Sequence, residues 1–204
     1  MRILHVIPGL RPAAGGPSRS VPALCEAISE SGHHVEICTF RPPGCDIAPV
    51  NEAAVPVRYF EPLAGTAEFP TLSFYRELRK FAAGFDMVHL HGVWNPSISV
   101  VAHICHSINK PYVLSPLGML RTIALRRRRL KKRLYWRLIA RKIISGAGAI
   151  VVFTQLEARE TAQSELVGDI QVIPNGIDPN LSQQVHSGYF IESFPVLNGK
   201  KIAL

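Results

Sequence analysis

Apolar residues recur along this chain with two periods that alternate. Short β-branched runs at Arg2–Ile7, His34–Phe40, Pro56–Phe60, Asp86–His91, Pro111–Ser115, Ala149–Thr154 and Ile170–Ile173 predict strands buried on both faces. Between them the spacing turns helical. Val21, Leu24 and Ile28 follow Ser18, a predicted N-cap, and Gly32 closes the run. Leu72–Ala83 carries Leu72, Tyr75 and Leu78 at helical spacing and ends at Gly84. Pro96–Ile108 has proline in its first turn, and Leu125–Ser145 and Leu156–Ser164 complete the predicted helices. Pro8–Gly16 and Pro42–Asn51 read as loops. Strands alternating with helices predict an α/β fold, a Rossmann-like parallel sheet with helices on both faces. Right-handed crossovers bring every strand's C-terminal end to one edge, where such sheets bind ligands. That edge collects Pro8–Gly16, His91–Trp94, Ser115–Met119 and Thr154–Gln155.

Composition narrows the class. The 204 residues are 47% hydrophobic and 19% charged, enough apolar content for one core. Cys25, Cys38, Cys45 and Cys105 show no metal spacing and read as reduced, mostly buried thiols of a cytoplasmic protein. The apolar run at the N-terminus is too short for a signal peptide, and no stretch is long enough for a membrane span. Net charge is +8, yet eleven Lys/Arg and no acid fall between Arg121 and Lys142, so the remaining residues sum to −3. The basicity belongs to one segment.

Four motifs carry candidate chemistry. Gly15-Gly16, between the first strand and helix, lets backbone amides approach a phosphate, or serves only as a turn. It is not GxGxxG, which argues against a dinucleotide-dependent dehydrogenase or epimerase. His89 and His91 share one face of a strand; His91 reaches the ligand edge, where it acts on a proton or serves the core, and Trp94 follows it. Ser115-Pro116-Leu117-Gly118-Met119 turns at the same edge. Arg126, Arg127, Arg128, Arg129, Lys131, Lys132 and Arg133, with Trp136, surround a stripe of Leu130, Leu134 and Leu138. That segment fits a solvated helix or an anionic membrane surface; nucleic acid ranks last, since no binding module accompanies it. Paired carboxylates, a zinc spacing and a P-loop are all absent from the sequence.

Together with Ser31-Gly32-His33-His34-Val35 and Pro174-Asn175-Gly176-Ile177-Asp178, these motifs resemble the N-terminal domain of family 4 glycosyltransferases of the GT-B fold. The likeness is closest to members that build bacterial exopolysaccharide, capsule or lipopolysaccharide. It covers Met1 to about Asp178. The resemblance implies a retaining transfer of sugar from an NDP-sugar to a glycan or lipid-linked acceptor, without cofactor or required metal. It implies that Gly15 and Gly16 meet the donor diphosphate and that His91 is catalytic. By the same likeness Trp94, Ser115, Gly118, Met119 and Arg121 line the acceptor side. Related enzymes often carry histidine or arginine where this chain has Leu117, which can neither donate a hydrogen bond nor carry charge.

Residues 1–178 are therefore expected to form the acceptor-binding domain. Residues 179–199 read as a linker, and 200–204 as the first strand of a C-terminal donor domain missing from the chain. The expected setting is peripheral, on the inner face of the cytoplasmic membrane. The alternative is a stand-alone binding module or half of a split enzyme.

Overall fold

A computed structural model describes residues 1–11, 15–41, 55–64, 69–126, 129–163, 168–176 and 189–200, without the side chains of 125–131, 189 and 190. Contacts divide the chain into Met1–Pro174 and Asn175–Leu204.

The first unit is a parallel seven-stranded sheet in the order β3-β2-β1-β4-β5-β6-β7. The strands are β1 (Arg2–Val6), β2 (His34–Phe40), β3 (Val57–Phe60), β4 (Met87–His91), β5 (Tyr112–Ser115), β6 (Ala149–Val152) and β7 (Ile170–Val172). Each matches a predicted strand to within two residues at either end, because short runs rich in apolar and β-branched residues advertise parallel strands by composition. The order reverses beside β1: the chain runs outward to β2 and β3, then returns to β4 on the other side. That reversal opens the ligand crevice of such sheets.

Alternation along the strands separates two cores. Leu4, Val6, Val88, Leu90, Leu114 and Ile150 pack with Phe74 and Leu78 of α2 (Leu72–Ala83) and with Ile98 and Val101 of α3 (Pro96–Ser107). Ile7, Val35 and Ile37 pack with Val21 and Cys25 of α1 (Pro17–Glu30). Thr71 and Asn95 cap α2 and α3 by accepting the Phe74 and Ser97 amides at 3.1 and 2.9 Å. Cys25, Cys38 and Cys105 are buried and unpaired; burial raises all three thiols, those of Cys25 and Cys105 to about 12. Cys45 lies outside the described residues.

Two predicted features differ. Ser18 is not the N-cap of α1: Gly16 holds that position, and the buried Ser18 hydroxyl donates back to the Gly15 carbonyl at 2.6 Å. Pro17 at the first helical position, preset for helical φ, moves the start two residues earlier. The predicted helix Leu125–Ser145 is not one α-helix. It comprises α4 (Thr122–Arg126), α5 (Arg129–Tyr135), a π-turn (Trp136–Ala140) and α6 (Arg141–Ser145). Arg127 and Arg128 fall outside the described residues.

α7 (Gln155–Ala162) then leads to β7. Among its described residues, the second unit contains a short helix, α8 (Tyr189–Ser193), and a 3-10 turn (Pro195–Leu197) within the stretch read as linker. Ile177, Asp178 and 201–204, most of the expected opening strand, lie outside the described residues.

Candidate functional site

The C-terminal edge of the sheet carries the described residues of the predicted donor- and acceptor-side motifs. After β1 the chain reaches Gly15, whose φ of +95° is a left-handed conformation that glycine adopts without penalty. Gly15 and Gly16 are exposed, and no atom of the described residues lies within 4 Å of where a Cβ would stand on either. Both glycines stand at the N-terminus of α1, with Arg19 exposed beside them.

Register builds the second part of the site. His5 pairs with His89 across β1 and β4, and His91 pairs with Ser115 across β4 and β5. Odd-numbered residues of these strands share the α1 side of the sheet, so three imidazoles converge. His5 Nδ1 and His91 Nε2 are 3.0 Å apart and share one proton. His89 Nε2 lies 2.8 Å from Ser115 Oγ, and the His89 and His91 rings stack with centroids 4.2 Å apart. All three are buried, at 0, 8 and 2% exposure for His5, His89 and His91. Burial is the chief cause that lowers each: His5 to about 3, with His89 adding to it, His89 to about 4, and His91 well below its ordinary value with its two neighbours adding to the effect. The cluster is neutral at pH 7. His91 was expected at an open edge; it is enclosed, with its Nδ1 and the His5 Nε2 lacking partners among the described residues.

This is the only group of three such side chains, among the described residues, able to hold a metal ion. Their ligand nitrogens spread over as much as 4.8 Å. A tetrahedral zinc site has nitrogens only about 3.3 Å apart, so the rings would have to close in to ligate one. Neither histidine spacing nor motif pointed to His5, which is 84 residues from His89; strand register alone brings it in.

The turn after β5 is the third part. Leu117 and Gly118 both have positive φ, +57° and +75°. For leucine this conformation is strained and needs support. Support arrives from three sides. Glu157, 3% exposed in the first turn of α7, accepts from the Gly118 amide at 2.6 Å and from the Phe153 amide at 3.1 Å. Arg121 Nε donates to Glu160 Oε2 at 2.9 Å, and that bond holds the Glu160 carboxyl below its ordinary pKa. Trp94 Nε1 donates to the Met119 carbonyl at 3.0 Å. Trp94 also sits among Tyr135, Trp136 and the Lys132 ammonium. Its ring thus holds the turn to the basic segment instead of standing free. Ser115 is buried and Gly118, Met119 and Arg121 are partly exposed, so the turn presents backbone more than side chains. Sequence reading missed Glu157. A glutamate three residues after a threonine cap is an ordinary capping-box signal, and Thr154 does accept the Glu157 amide at 3.1 Å.

The basic segment lies apart. Arg133, Arg137, Arg141 and Lys142 are exposed, with Leu134 and Leu138 exposed at 63 and 59%. The side chains of Arg126, Arg129, Leu130 and Lys131 are outside the description. No described helix is long and apolar enough to cross a membrane.

Comparison with known proteins fits this edge. Residues 15–176 match the glycosyl transferase 4-like domain. No curated protein matches the chain. Among solved structures, Anabaena HepE in complex with UDP and glucose is 18% identical, with TM-score 0.66 over 98% of this chain and 50% of that one. S. aureus MnaA with UDP is 14% identical, with TM-score 0.63 over 96% of this chain and 52% of that one. A glycosyltransferase from Rickettsia africae is 13% identical, with TM-score 0.60 over 97% and 50%. At these identities the structures speak for the fold, and the chain spans about half the length of each. The domain match, over most of the chain and across all three parts of the edge, decides the family: this chain belongs to the glycosyl transferase 4-like domain family.

Proposed function

We propose that this chain is the acceptor-side half of a retaining glycosyltransferase. It serves transfer of a sugar from a nucleoside-diphosphate sugar to a glycan or lipid-linked acceptor in cell-surface polysaccharide synthesis. The observation that carries the reading is the domain match over residues 15–176, laid on one sheet edge that gathers Gly15-Gly16, His91 and the 115–119 turn. HepE and MnaA, which share the fold, were crystallised with UDP, which supports a nucleotide-sugar donor.

In this reading the exposed Gly15-Gly16 backbone meets the donor diphosphate. The rigid 115–119 turn, with Trp94 and Arg121 behind it, shapes the acceptor side. His91 acts from within the histidine cluster: neutral and hydrogen-bonded, it fixes the strand end beside the reacting groups and presents an acceptor-capable ring. Charge developing on the leaving diphosphate falls to backbone amides and to groups of a second, donor-binding domain, and no metal is required. The basic segment holds the enzyme peripherally at the inner face of the cytoplasmic membrane, where a lipid-linked acceptor would be presented.

The test expresses the complete open reading frame that contains these residues. A panel of UDP-, GDP- and TDP-sugars is offered with membrane lipid extract. The expected result is transfer with retained anomeric configuration, unchanged by EDTA, and lost on Gly15→Val, which places a β-branched residue at φ +95°. Nucleotide-sugar epimerisation without transfer, or inverted product, sinks the reading.

A further inference from the structure

We propose that the groove between α3 and the π-turn and α6 is a binding site for one acyl chain of an anionic phospholipid, taken from the bilayer on which the basic segment rests. The proposal builds on the membrane-surface reading above and assigns the ligand and the residues that would hold it.

The groove exists because small residues face each other where two helices pack. Ser99 and Ala102 of α3 stand opposite Ser145 and Gly146 at the end of α6, leaving a cavity of about 520 Å³. A Cβ on Gly146 would come within 2.5 Å of His106 Nε2 and 2.7 Å of the Tyr112 hydroxyl. Only glycine lets the wall lie so close to α3. The π-turn shapes the other wall. Its wider turn carries one residue more than an α-turn. Ala140 therefore becomes the buried contact, and Leu138 and Ile139 are turned outward at 59 and 37% exposure. π-turns of this kind recur at functional sites. Leu138, Ile139 and Ile143 form an apolar wall beside the cavity.

The polar lining has the opposite character. His103, His106 and Lys142 also line the groove and are exposed, and Arg141 is exposed beside Lys142 on α6. Residues 96–107 and 121–148 contain no acid at all. An apolar wall beside the Lys142 ammonium and the neighbouring Arg141 guanidinium matches an amphiphile with an anionic head and a hydrocarbon tail. A nucleotide or polyanion would meet these cations but leave Leu138 and Ile139 in water. The Trp136 indole, partly exposed in the π-turn, belongs at the headgroup level of such a lipid.

The experiment uses the full 204-residue chain and two measurements. One follows quenching of tryptophan fluorescence by spin-labelled lysophosphatidylglycerol kept below its micelle concentration; Trp94 and Trp136 are the only tryptophans. The other is co-sedimentation with phosphatidylcholine vesicles containing about 30% phosphatidylglycerol. Ser145→Phe fills the groove from an exposed position without removing a charge. Ile139→Ser removes part of the apolar wall and checks the same prediction independently. Circular dichroism and urea midpoints confirm that both variants fold.

The wild type is expected to bind the lysolipid saturably, and each variant to bind it about tenfold more weakly, with vesicle sedimentation changed less than about twofold. Vesicle binding without lysolipid binding overturns the groove and leaves the membrane reading standing. Saturable lysolipid binding without vesicle binding overturns the bilayer as source and removes the membrane reading. Equal lysolipid binding by wild type and both variants overturns the assignment. So does a concentration-dependent dimer in gel filtration that Ser145→Phe abolishes, which would give the groove to a second copy of the chain.

Discussion

At the scale of single residues, the site is built from buried polar groups, and these have measurable consequences. The three histidines take up protons in the unfolded chain near pH 6.5 but resist doing so when folded, His89 to about pH 4 and His5 to about 3. Below 6.5 the unfolded state therefore binds more protons than the folded state, and stability falls as pH falls. The loss is fully developed only below about pH 3. Each unit within the window costs about 1.4 kcal/mol per histidine. Urea midpoints at pH 7.5, 6 and 5 should fall in order at constant slope, and less steeply for His89→Gln. A flat profile would show that the cluster is not buried neutral. Glu157 makes a second case. Glu157→Ala leaves the Gly118 and Phe153 amides without their acceptor and the left-handed Leu117 without its support. The expected loss is roughly 2–3 kcal/mol, read from the urea midpoint; a change under about 0.5 kcal/mol would mean the turn holds itself. Neither group could be assembled from sequence alone. His89 and His91 were visible as a pair on one strand, but His5 needs the β1–β4 register, and the Glu157 bond to Gly118 spans 39 residues.

At the scale of elements, legibility followed burial. Strands enclosed on both sides and helices with a clear apolar stripe were readable to within a residue or two; α2 has the predicted bounds, Leu72–Ala83. The segment from Thr122 to Ser145 was not. Its arginines and lysines favour helix at every position, so propensity carries no mark of where the ladder changes. What breaks the pattern is packing: Tyr135 reaches Ser99 and the Asn95 carbonyl, and Tyr112 donates to the Ile143 carbonyl at 2.5 Å. These contacts fix both ends of the π-turn against α3 and β5. Gly146 is where that packing is tightest. Gly146→Ala would push a methyl against His106, Tyr112 and the Lys142 carbonyl, the last at 3.1 Å and unable to swing away. A destabilisation of about 1–3 kcal/mol is expected. Gly16→Ala, which meets no atom of the described residues within 4 Å, should cost far less. Equal midpoints for the two variants would show that the α6–β6 junction yields without cost.

At the scale of the whole molecule, charge is segregated: eleven cations in residues 121–142 and a net −3 elsewhere. Segregation rather than total charge decides what the molecule meets. A uniformly basic protein would bind any polyanion, whereas here one segment attracts and the remainder weakly repels. Near an anionic bilayer each cation is worth about 1 kcal/mol, and the attraction fades as the screening length shortens from about 10 Å at 0.1 M salt to 3 Å at 1 M. Exposed leucines between the cations add a contribution that salt does not screen. The two contributions can be separated. Arg133→Glu, Arg137→Glu and Arg141→Glu together should abolish vesicle binding at low salt, since each reversal removes an attraction and adds a repulsion. Leu134→Ser should leave low-salt binding nearly intact but remove what survives at high salt. Binding that ignores anionic lipid content and salt alike would detach the basic segment from the membrane. The segment would then be a solvated surface, and the 115–119 turn that Trp94 ties to it would have to find its acceptor in solution.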